Sequence, residues 1–142
     1  NENLKEKMKN IDDNLGNELA DKLEQALPAI ALSNHNSLNT AFLNDVDGKL
    51  CFAQQILGYG VAGDVFLAIS TSGNSMNILY ASIVAKAKGM KVIALTGRGG
   101  GRLALVADVV IAVDEQATYK VQELHLPIYH CLCRMVEEEM FG

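Results

Sequence analysis

The chain has 142 residues, of which 49% are apolar and 20% charged, and its formal net charge is −5. This length suits one domain with a substantial core, and the composition is ordinary for a globular protein. The acidic balance, with Lys and Arg scattered along the chain, gives no support for a nucleic-acid partner. No apolar run approaches the length of a membrane span and no signal-peptide pattern opens the chain, so we expect no membrane partner.

The three cysteines predict a reducing compartment. Cys131 and Cys133 are two residues apart on a predicted helix, so their side chains point away from each other. This spacing suits neither a disulfide nor a zinc knuckle, and reduced core thiols are the preferred interpretation. We therefore expect a cytoplasmic protein.

Residues 1–27 are predicted to form a helical insertion or linker segment ahead of the main domain. The segment is rich in Lys, Glu, Asp and Asn, and its apolar residues recur at helical intervals. Asp12 or Asp13 is expected to cap a second helical piece, which we expect to be interrupted near Gly16.

From Pro28 onward, apolar segments alternate with helix-period segments. The predicted strands are Pro28–Ser33, Val65–Ile69, Val92–Leu95 and Val109–Val113. The predicted helices are Asn39–Leu43, Lys49–Leu57, Met76–Lys88, Arg102–Val106 and Thr118–Phe141, the last with a kink or a broken turn at Pro127. Short apolar strands separated by helices predict an α/β fold, a parallel sheet covered by helices on both faces. Ligands of such sheets bind beyond the carboxyl ends of the strands.

The segment that carries the clearest chemistry is the Ser-Thr-Ser-Gly-Asn-Ser sequence at residues 70–75. It follows the strand Val65–Ile69 and precedes the helix Met76–Lys88. A helix start offers unpaired N–H groups and partial positive charge, and the four hydroxyls of Ser70, Thr71, Ser72 and Ser75 add donors for an anion. The alternative is that Ser75 or Asn74 merely caps the helix. Because capping needs one polar residue and the loop has five, we interpret it as a phosphate-binding cradle.

These segments together resemble the SIS (sugar isomerase) domain family. The resemblance covers residues 28–142 and rests on three stretches: residues 63–75, the Lys-Gly-Met-Lys-Val-Ile-Ala-Leu-Thr-Gly sequence at residues 88–97, and the helix with Val-Gln-Glu-Leu-His at residues 121–125 and His130. The cradle alone is similar to any sugar-phosphate-binding SIS domain. The helix that carries Gln122, Glu123 and His130 is most similar to the phosphoheptose isomerase branch.

The resemblance implies a three-layer, Rossmann-like parallel sheet, assembly as a homotetramer, and interconversion of sedoheptulose 7-phosphate and D-glycero-D-manno-heptose 7-phosphate, a step that feeds lipopolysaccharide or other surface glycans. Its implied site residues are His130 as the catalytic histidine, Ser70, Thr71, Ser72 and Ser75 for the phosphate, and Gln122 beside the histidine. Thr96 is expected to line the substrate site as well. Asn44 and Asp45 either bond sugar hydroxyls or simply end a helix. In some family members the residue matching Gln122 contributes to a metal site with the histidine, so zinc held by Gln122 and His130 is a family expectation. No Gly-x-Gly-x-x-Gly sequence follows a strand, and we expect no nucleotide cofactor.

One helix places Gln122 and His130 about 12 Å apart at 1.5 Å per residue, too far to bind one ion together. Either an irregularity at Pro127 shortens that distance, or the two residues act in different sites of an oligomer.

The chain departs from the family at its N-terminal side. The family's Gly-Asn-Gly-Gly-Ser loop, and the helix with a His and the catalytic Glu, have no counterpart here. We therefore expect an SIS domain incomplete at that side. The alternative to an isomerase is a non-catalytic SIS module that binds a sugar phosphate or a partner protein, as in a replication-initiator-associating factor.

Overall fold

The computed structural model describes residues 2–142 and places six helices and three strands in them. The helices are α1 (Glu2–Ile11), α2 (Asp13–Lys22), α3 (Asn36–Asp45), α4 (Cys51–Tyr59), α5 (Met76–Ala87) and α6 (Thr118–Phe141). The strands are β1 (Val65–Ser70), β2 (Lys91–Thr96) and β3 (Val109–Ala112), and short 3₁₀ turns cover Leu32–Asn34, Gly48–Leu50 and Gly101–Leu105. Two compact units divide the chain, one up to Ile30 and one from Ala31 onward. In the described part of the chain, no helix is both long enough and apolar enough to span a bilayer.

The N-terminal unit is a pair of helices joined at Asp12. The Asp12 carboxylate accepts hydrogen bonds from the N–H groups of Asn14 and Leu15, which confirms its predicted capping role. The predicted interruption near Gly16 is wrong, because α2 runs through this residue. Gly16 instead lets the helices approach closely: a Cβ at this position would lie 2.1 Å from the carbonyl oxygen of Met8.

The strands form one parallel sheet in the order β1-β2-β3, which confirms the predicted fold class. In the register, Val65 pairs with Lys91 and Ser70 with Thr96, so β1 and β2 end level with each other. Buried side chains of β1 and β2 form the core with residues of α4 and α5, among them Ile56, Phe66, Ala68, Leu79, Ala81, Val92 and Ala94. The crossover through α5 positions the loop at residues 71–75 at the carboxyl edge of the sheet.

The second face of the sheet is covered unevenly. On β1, Phe66, Ala68 and Ser70 are buried, while the alternating Val65, Leu67 and Ile69 are 58%, 39% and 44% exposed. On β2, by contrast, Leu95 is fully buried. An all-apolar strand sequence therefore does not ensure that both of its faces are packed.

The predicted strand at Pro28–Ser33 is wrong. Its first residues belong to no regular element, and Leu32–Asn34 forms a 3₁₀ turn closed by a hydrogen bond from the Asn34 N–H to the Ala31 carbonyl. The Leu32 carbonyl accepts a hydrogen bond from the Gln55 side chain, at 3.1 Å, rather than from a neighbouring strand. A strand exists only where a neighbour satisfies its backbone groups, and this segment pairs with none among residues 2–142.

Helix α6 also differs from its prediction. It continues without a break through Pro127, so the predicted broken turn is wrong. Proline removes one backbone donor, but the helix is exposed here and water can satisfy the carbonyl left unpaired. The apolar residues of α6 are mostly not packed: Val121 is buried, whereas Leu124, Met135 and Val136 are 46%, 61% and 48% exposed.

The other predicted helices are displaced by a few residues. The helix predicted at Asn39–Leu43 begins at Asn36 and ends at Asp45, and the one predicted at Lys49–Leu57 becomes a 3₁₀ turn followed by α4. The helix predicted at Arg102–Val106 is a 3₁₀ turn over Gly101–Leu105.

Asp108 links α5 to the sheet and predicts a pH dependence of stability. Its carboxylate lies 2.6 Å from the Lys86 Nζ and accepts a hydrogen bond of 2.8 Å from the Val92 N–H. The Lys86 side chain, with that N–H, lowers the pKa of Asp108 from 3.8 to about 2. The charged Asp108 carboxylate therefore stabilises the folded state above pH 3.8. This stabilisation is lost as the pH falls through the folded-state pKa of about 2.

We expect Asp108→Asn to be less stable than the wild type at neutral pH, and the difference to shrink as the pH falls from about 4 towards 2, since both proteins then carry an uncharged group. Urea unfolding of both proteins at a series of pH values measures this difference in the free energy of unfolding. Asp114→Asn is the matched control, because the Asp114 side chain is 89% exposed in its ion pair with Arg98. A difference that stays constant down to pH 2 would contradict the assignment.

Candidate functional site

The loop between β1 and α5 holds its hydroxyls in a fixed arrangement. Ser70 is 5% exposed, and its Oγ donates to the Oγ of Ser75 at 3.0 Å. This bond leaves the Ser75 hydroxyl hydrogen free to donate elsewhere. The Gly73 N–H donates to the Ser70 carbonyl and closes the turn between them. Ser70 and Ser75 thus come together at the strand end, as the sequence predicts.

The start of α5 has no side-chain cap, which argues against the interpretation of the loop as a simple helix cap. Ser75 occupies the N-cap position, but its side chain accepts no hydrogen bond from the helix. The N–H groups of Ser75, Met76 and Asn77 reach no acceptor among the described residues. Free N–H groups beside free hydroxyls are the arrangement that binds a phosphate. The geometry therefore favours a ligand site over a simple helix cap.

Asn74 organises the loop rather than capping the helix. Its N–H donates to the Ser72 Oγ at 3.1 Å, and its side-chain amide donates to the Ser72 carbonyl at 2.9 Å. Its Oδ1 accepts from the Arg102 N–H at 3.1 Å, which ties the loop to the segment after β2. The Arg102 side chain also reaches Met76, the first residue of α5, with Nη1 3.7 Å from the sulfur. A cationic side chain thus lies beside the cradle, which the sequence interpretation missed.

The Gly99–Gly101 turn packs directly on the cradle. All three glycines have positive φ angles, of 80°, 70° and 56°, which the chain needs for a sharp turn here. A Cβ on Gly73 would lie 1.9 Å from the Gly100 carbonyl oxygen, and one on Gly101 would lie 2.5 Å from that of Ser72. The Leu103 N–H donates to the Gly73 carbonyl at 2.9 Å. Three consecutive glycines after a strand were the available signal for this contact between loops.

Thr96 closes the site from β2. It pairs with Ser70 in the register and is fully buried, and its Oγ1 has no hydrogen-bond partner. The next N–H, of Gly97, donates to the Thr71 carbonyl at 2.9 Å. The loops after β1 and β2 therefore share one edge of the sheet, as expected for the carboxyl ends of parallel strands.

The segment after β3 joins the same edge and starts α6. The Arg98 N–H donates to the Glu115 carbonyl at 2.9 Å. The Glu115 carboxylate accepts hydrogen bonds from the N–H groups of Ala117 and Gln116, which lower the pKa of Glu115. This carboxylate satisfies donors where α6 begins. Inside α6, the His125 Nε2 lies 3.0 Å from the Thr96 carbonyl oxygen.

The remaining predicted residues lie outside this hydrogen-bonded group. Gln122 and His130 are exposed on α6, where the His130 ring packs against Tyr129 at 5.1 Å between centroids. Asn44 and Asp45 form the exposed end of α3. Within residues 2–142, no hydrogen bond or ion pair joins these four residues to the cradle, and their roles stay predictions.

A metal site does not fit the donors of one chain. Because α6 is unbroken at Pro127, Gln122 and His130 remain about 12 Å apart along it. The described residues contain no group of three or more His, Cys, Asp and Glu side chains able to hold an ion.

The fold and the cradle define an α/β domain with uncapped helix N–H groups and hydroxyls at the carboxyl ends of parallel strands. The family model described as the SIS domain matches residues 13–97, more than half of the chain. The chain belongs to the SIS domain family.

Several proteins similar to this chain are phosphoheptose isomerases. The chain is 45% identical over 117 residues to a phosphoheptose isomerase of Sulfurimonas denitrificans and 43% identical to that of Akkermansia muciniphila, in each case over 82% of this chain. Among solved structures, phosphoheptose isomerase GmhA from Neisseria gonorrhoeae superposes with a TM-score of 0.75 at 41% identity over 78% of this chain. A phosphoheptose isomerase from Francisella tularensis gives 0.78 at 39% identity over 81%. The match spans 60% to 62% of these relatives' own lengths.

Proposed function

We propose that this chain supplies the phosphate-binding core of a phosphoheptose isomerase, which interconverts sedoheptulose 7-phosphate and D-glycero-D-manno-heptose 7-phosphate. The observation that carries the proposal is the uncapped start of α5 beside Ser70 and Ser75, in a chain 43% to 45% identical to proteins of that name. Three free N–H groups and the Ser75 hydroxyl match the acceptor oxygens of a phosphate.

In this proposal the cradle positions the sugar rather than reacting with it. Isomerisation moves a proton between two adjacent carbons at the far end of the sugar, through an enediol. It needs a base that takes the proton from carbon and an acid that transfers protons at the oxygens. Holding the phosphate fixes the distance from the cradle to the reacting carbons and removes most of the orientational entropy. We assign the proton transfer at the oxygens to His130, since an imidazole nitrogen can both donate and accept a proton. Gln122, Asn44 and Asp45 are assigned to the sugar hydroxyls.

We also propose that the protein self-associates, and the homotetramer expected of the family is the arrangement we favour. What supports it is the unpacked α6, whose Leu124, Leu126 and Met135 are 46%, 48% and 61% exposed. Sedimentation equilibrium tests the proposal, and a monomer at micromolar concentration would overturn it.

The proposed location is the cytoplasm and the proposed pathway is that of surface-glycan heptose. All three cysteines are free thiols, with Cys131 and Cys133 exposed on α6, and exposed thiols persist in a reducing compartment.

The direct test is turnover of sedoheptulose 7-phosphate by protein that carries this sequence, together with calorimetry of phosphate binding. We expect Ser72→Ala and Ser75→Ala each to weaken sugar-phosphate binding by about tenfold, as removing a hydrogen bond to a charged group does. Ser37→Ala, at an exposed serine on α3, is the matched control and should bind as the wild type does. Unchanged affinity in both cradle variants would rule out the cradle. Binding without turnover would favour the non-catalytic SIS module instead.

A further inference from the structure

His125 is the one histidine of the chain that is buried. Its exposed fraction is 2%, and its Nε2 lies 3.0 Å from the carbonyl oxygen of Thr96 at the end of β2. A carbonyl oxygen only accepts hydrogen bonds, so the Nε2 carries the proton. The Nδ1 is buried without a hydrogen-bond partner among the described residues. The imidazole is therefore placed as a donor through Nε2.

This hydrogen bond lies where α6 meets the strand ends. Only two residues of α6 are buried, Val121 and His125, and they lie one helical turn apart on the same face. A Cβ on Gly97 would lie 3.0 Å from the Val121 Cγ2, so Val121 packs against the backbone next to Thr96. Apart from this pair, α6 is exposed or half-buried. The buried contacts of α6 are thus those of Val121 and His125.

The same bond connects two parts of the candidate site. Thr96 pairs with Ser70 in the register, and the neighbouring Gly97 donates to the Thr71 carbonyl. On the other side, α6 carries Gln122 and His130. Sliding or rotating α6 by one residue would move both side chains by 1.5 Å and 100°, a displacement larger than a reacting site tolerates.

We propose that His125 is a positioning residue: its Nε2–H bond to the Thr96 carbonyl fixes the register of α6, and with it Gln122 and His130, relative to the phosphate cradle. The expected effect on kcat rests on the proposed isomerase function, whereas the expected effect on hydrogen exchange in α6 does not. The cradle itself is built from β1, α5 and the loop after β2, so its affinity for phosphate is independent of His125.

The test compares His125→Gln with His125→Met. The Gln side-chain nitrogen reaches about as far as Nε2 and donates, while Met has similar size but no donor. Backbone hydrogen exchange across α6, binding of inorganic phosphate by calorimetry, and kcat and KM for sedoheptulose 7-phosphate are measured on both. We expect H125M to raise exchange at residues 119–130 by about fivefold to tenfold, the effect of one lost hydrogen bond. We expect the kcat of H125M to fall by at least as much, while its affinity for phosphate stays within about twofold of the wild type. H125Q should restore both the exchange rate in α6 and kcat.

Wild-type exchange in α6 of H125M would overturn the proposal, and so would an H125Q variant as impaired as H125M. If H125M fails to fold, His125→Asn replaces it, because the shorter amide cannot reach the Thr96 carbonyl. If the wild type binds phosphate but does not isomerise the sugar, the isomerase assignment fails, while the exchange result still decides whether His125 fixes α6.

Discussion

Gly73→Ala is expected to abolish phosphate binding at the cradle. Gly73 has a φ of 65°, which a residue with a Cβ adopts at a cost of about 1–2 kcal/mol. Its Cβ would also lie 1.9 Å from the carbonyl oxygen of Gly100, which is backbone and cannot move aside as a side-chain end does. Overpacking of this kind costs about 1–3 kcal/mol more. The loop at residues 71–75 would have to leave the Gly99–Gly101 turn, and its donors would no longer converge.

Calorimetry with inorganic phosphate measures the loss of binding, and thermal unfolding measures the loss of stability. Gly99→Ala is the matched control, because Gly99 has a φ of 80° but nothing within 4 Å of an added Cβ. It suffers the backbone strain without the clash, so it should lose some stability and keep its affinity. If Gly73→Ala binds phosphate as tightly as Gly99→Ala does, the contact between the loops does not shape the cradle.

His130→Ala is expected to reduce isomerisation by about 10²- to 10⁴-fold, the usual contribution of a general acid or base. His130 is exposed and has no hydrogen bond to the cradle within residues 2–142. The substitution should therefore leave phosphate affinity unchanged and shift the free energy of unfolding by no more than about 0.5 kcal/mol.

Steady-state kinetics with sedoheptulose 7-phosphate, beside calorimetry on the same protein, measure the effect. Cys133→Ala changes another exposed side chain of α6 and serves as the control for general disturbance of the helix. Normal turnover by His130→Ala would remove the histidine from the mechanism. A parallel loss of phosphate affinity would mean that the substitution acts on the fold rather than on proton transfer.

The local elements that carry the site were predictable from sequence because their signals are local. An apolar run, a hydroxyl-rich turn and a helix-period segment predicted β1, the cradle and α5 to within a residue or two at their ends. Parallel pairing followed from the alternation of strands with helices, and it placed the loops after residues 70 and 96 at one edge.

The sequence signal failed where a neighbour decides the outcome. Pro28–Ser33 has the composition of a strand, but no strand among residues 2–142 pairs with it. Its Ala31 and Leu32 carbonyls instead accept hydrogen bonds from the Asn34 N–H and the Gln55 side chain. The apolar residues of α6 resemble a packed stripe, yet Leu124 and Val136 are exposed because no described element covers them. Gly16 resembled a helix break, but its missing side chain serves close contact between helices.

The sequence alone was enough to predict a site for a phosphate-type ligand after a short buried strand, because hydroxyls, a glycine and a helix start within six residues carry that chemistry wherever they lie. The uncapped start of α5 became visible only in the folded chain. The same holds for the Gly99–Gly101 turn that supports the cradle and for the contact of His125, rather than His130, with the strand end. The last two are contacts between segments about 25 to 30 residues apart in sequence. Which buried donor meets which carbonyl depends on how strands and helices pack, and no local pattern records that packing.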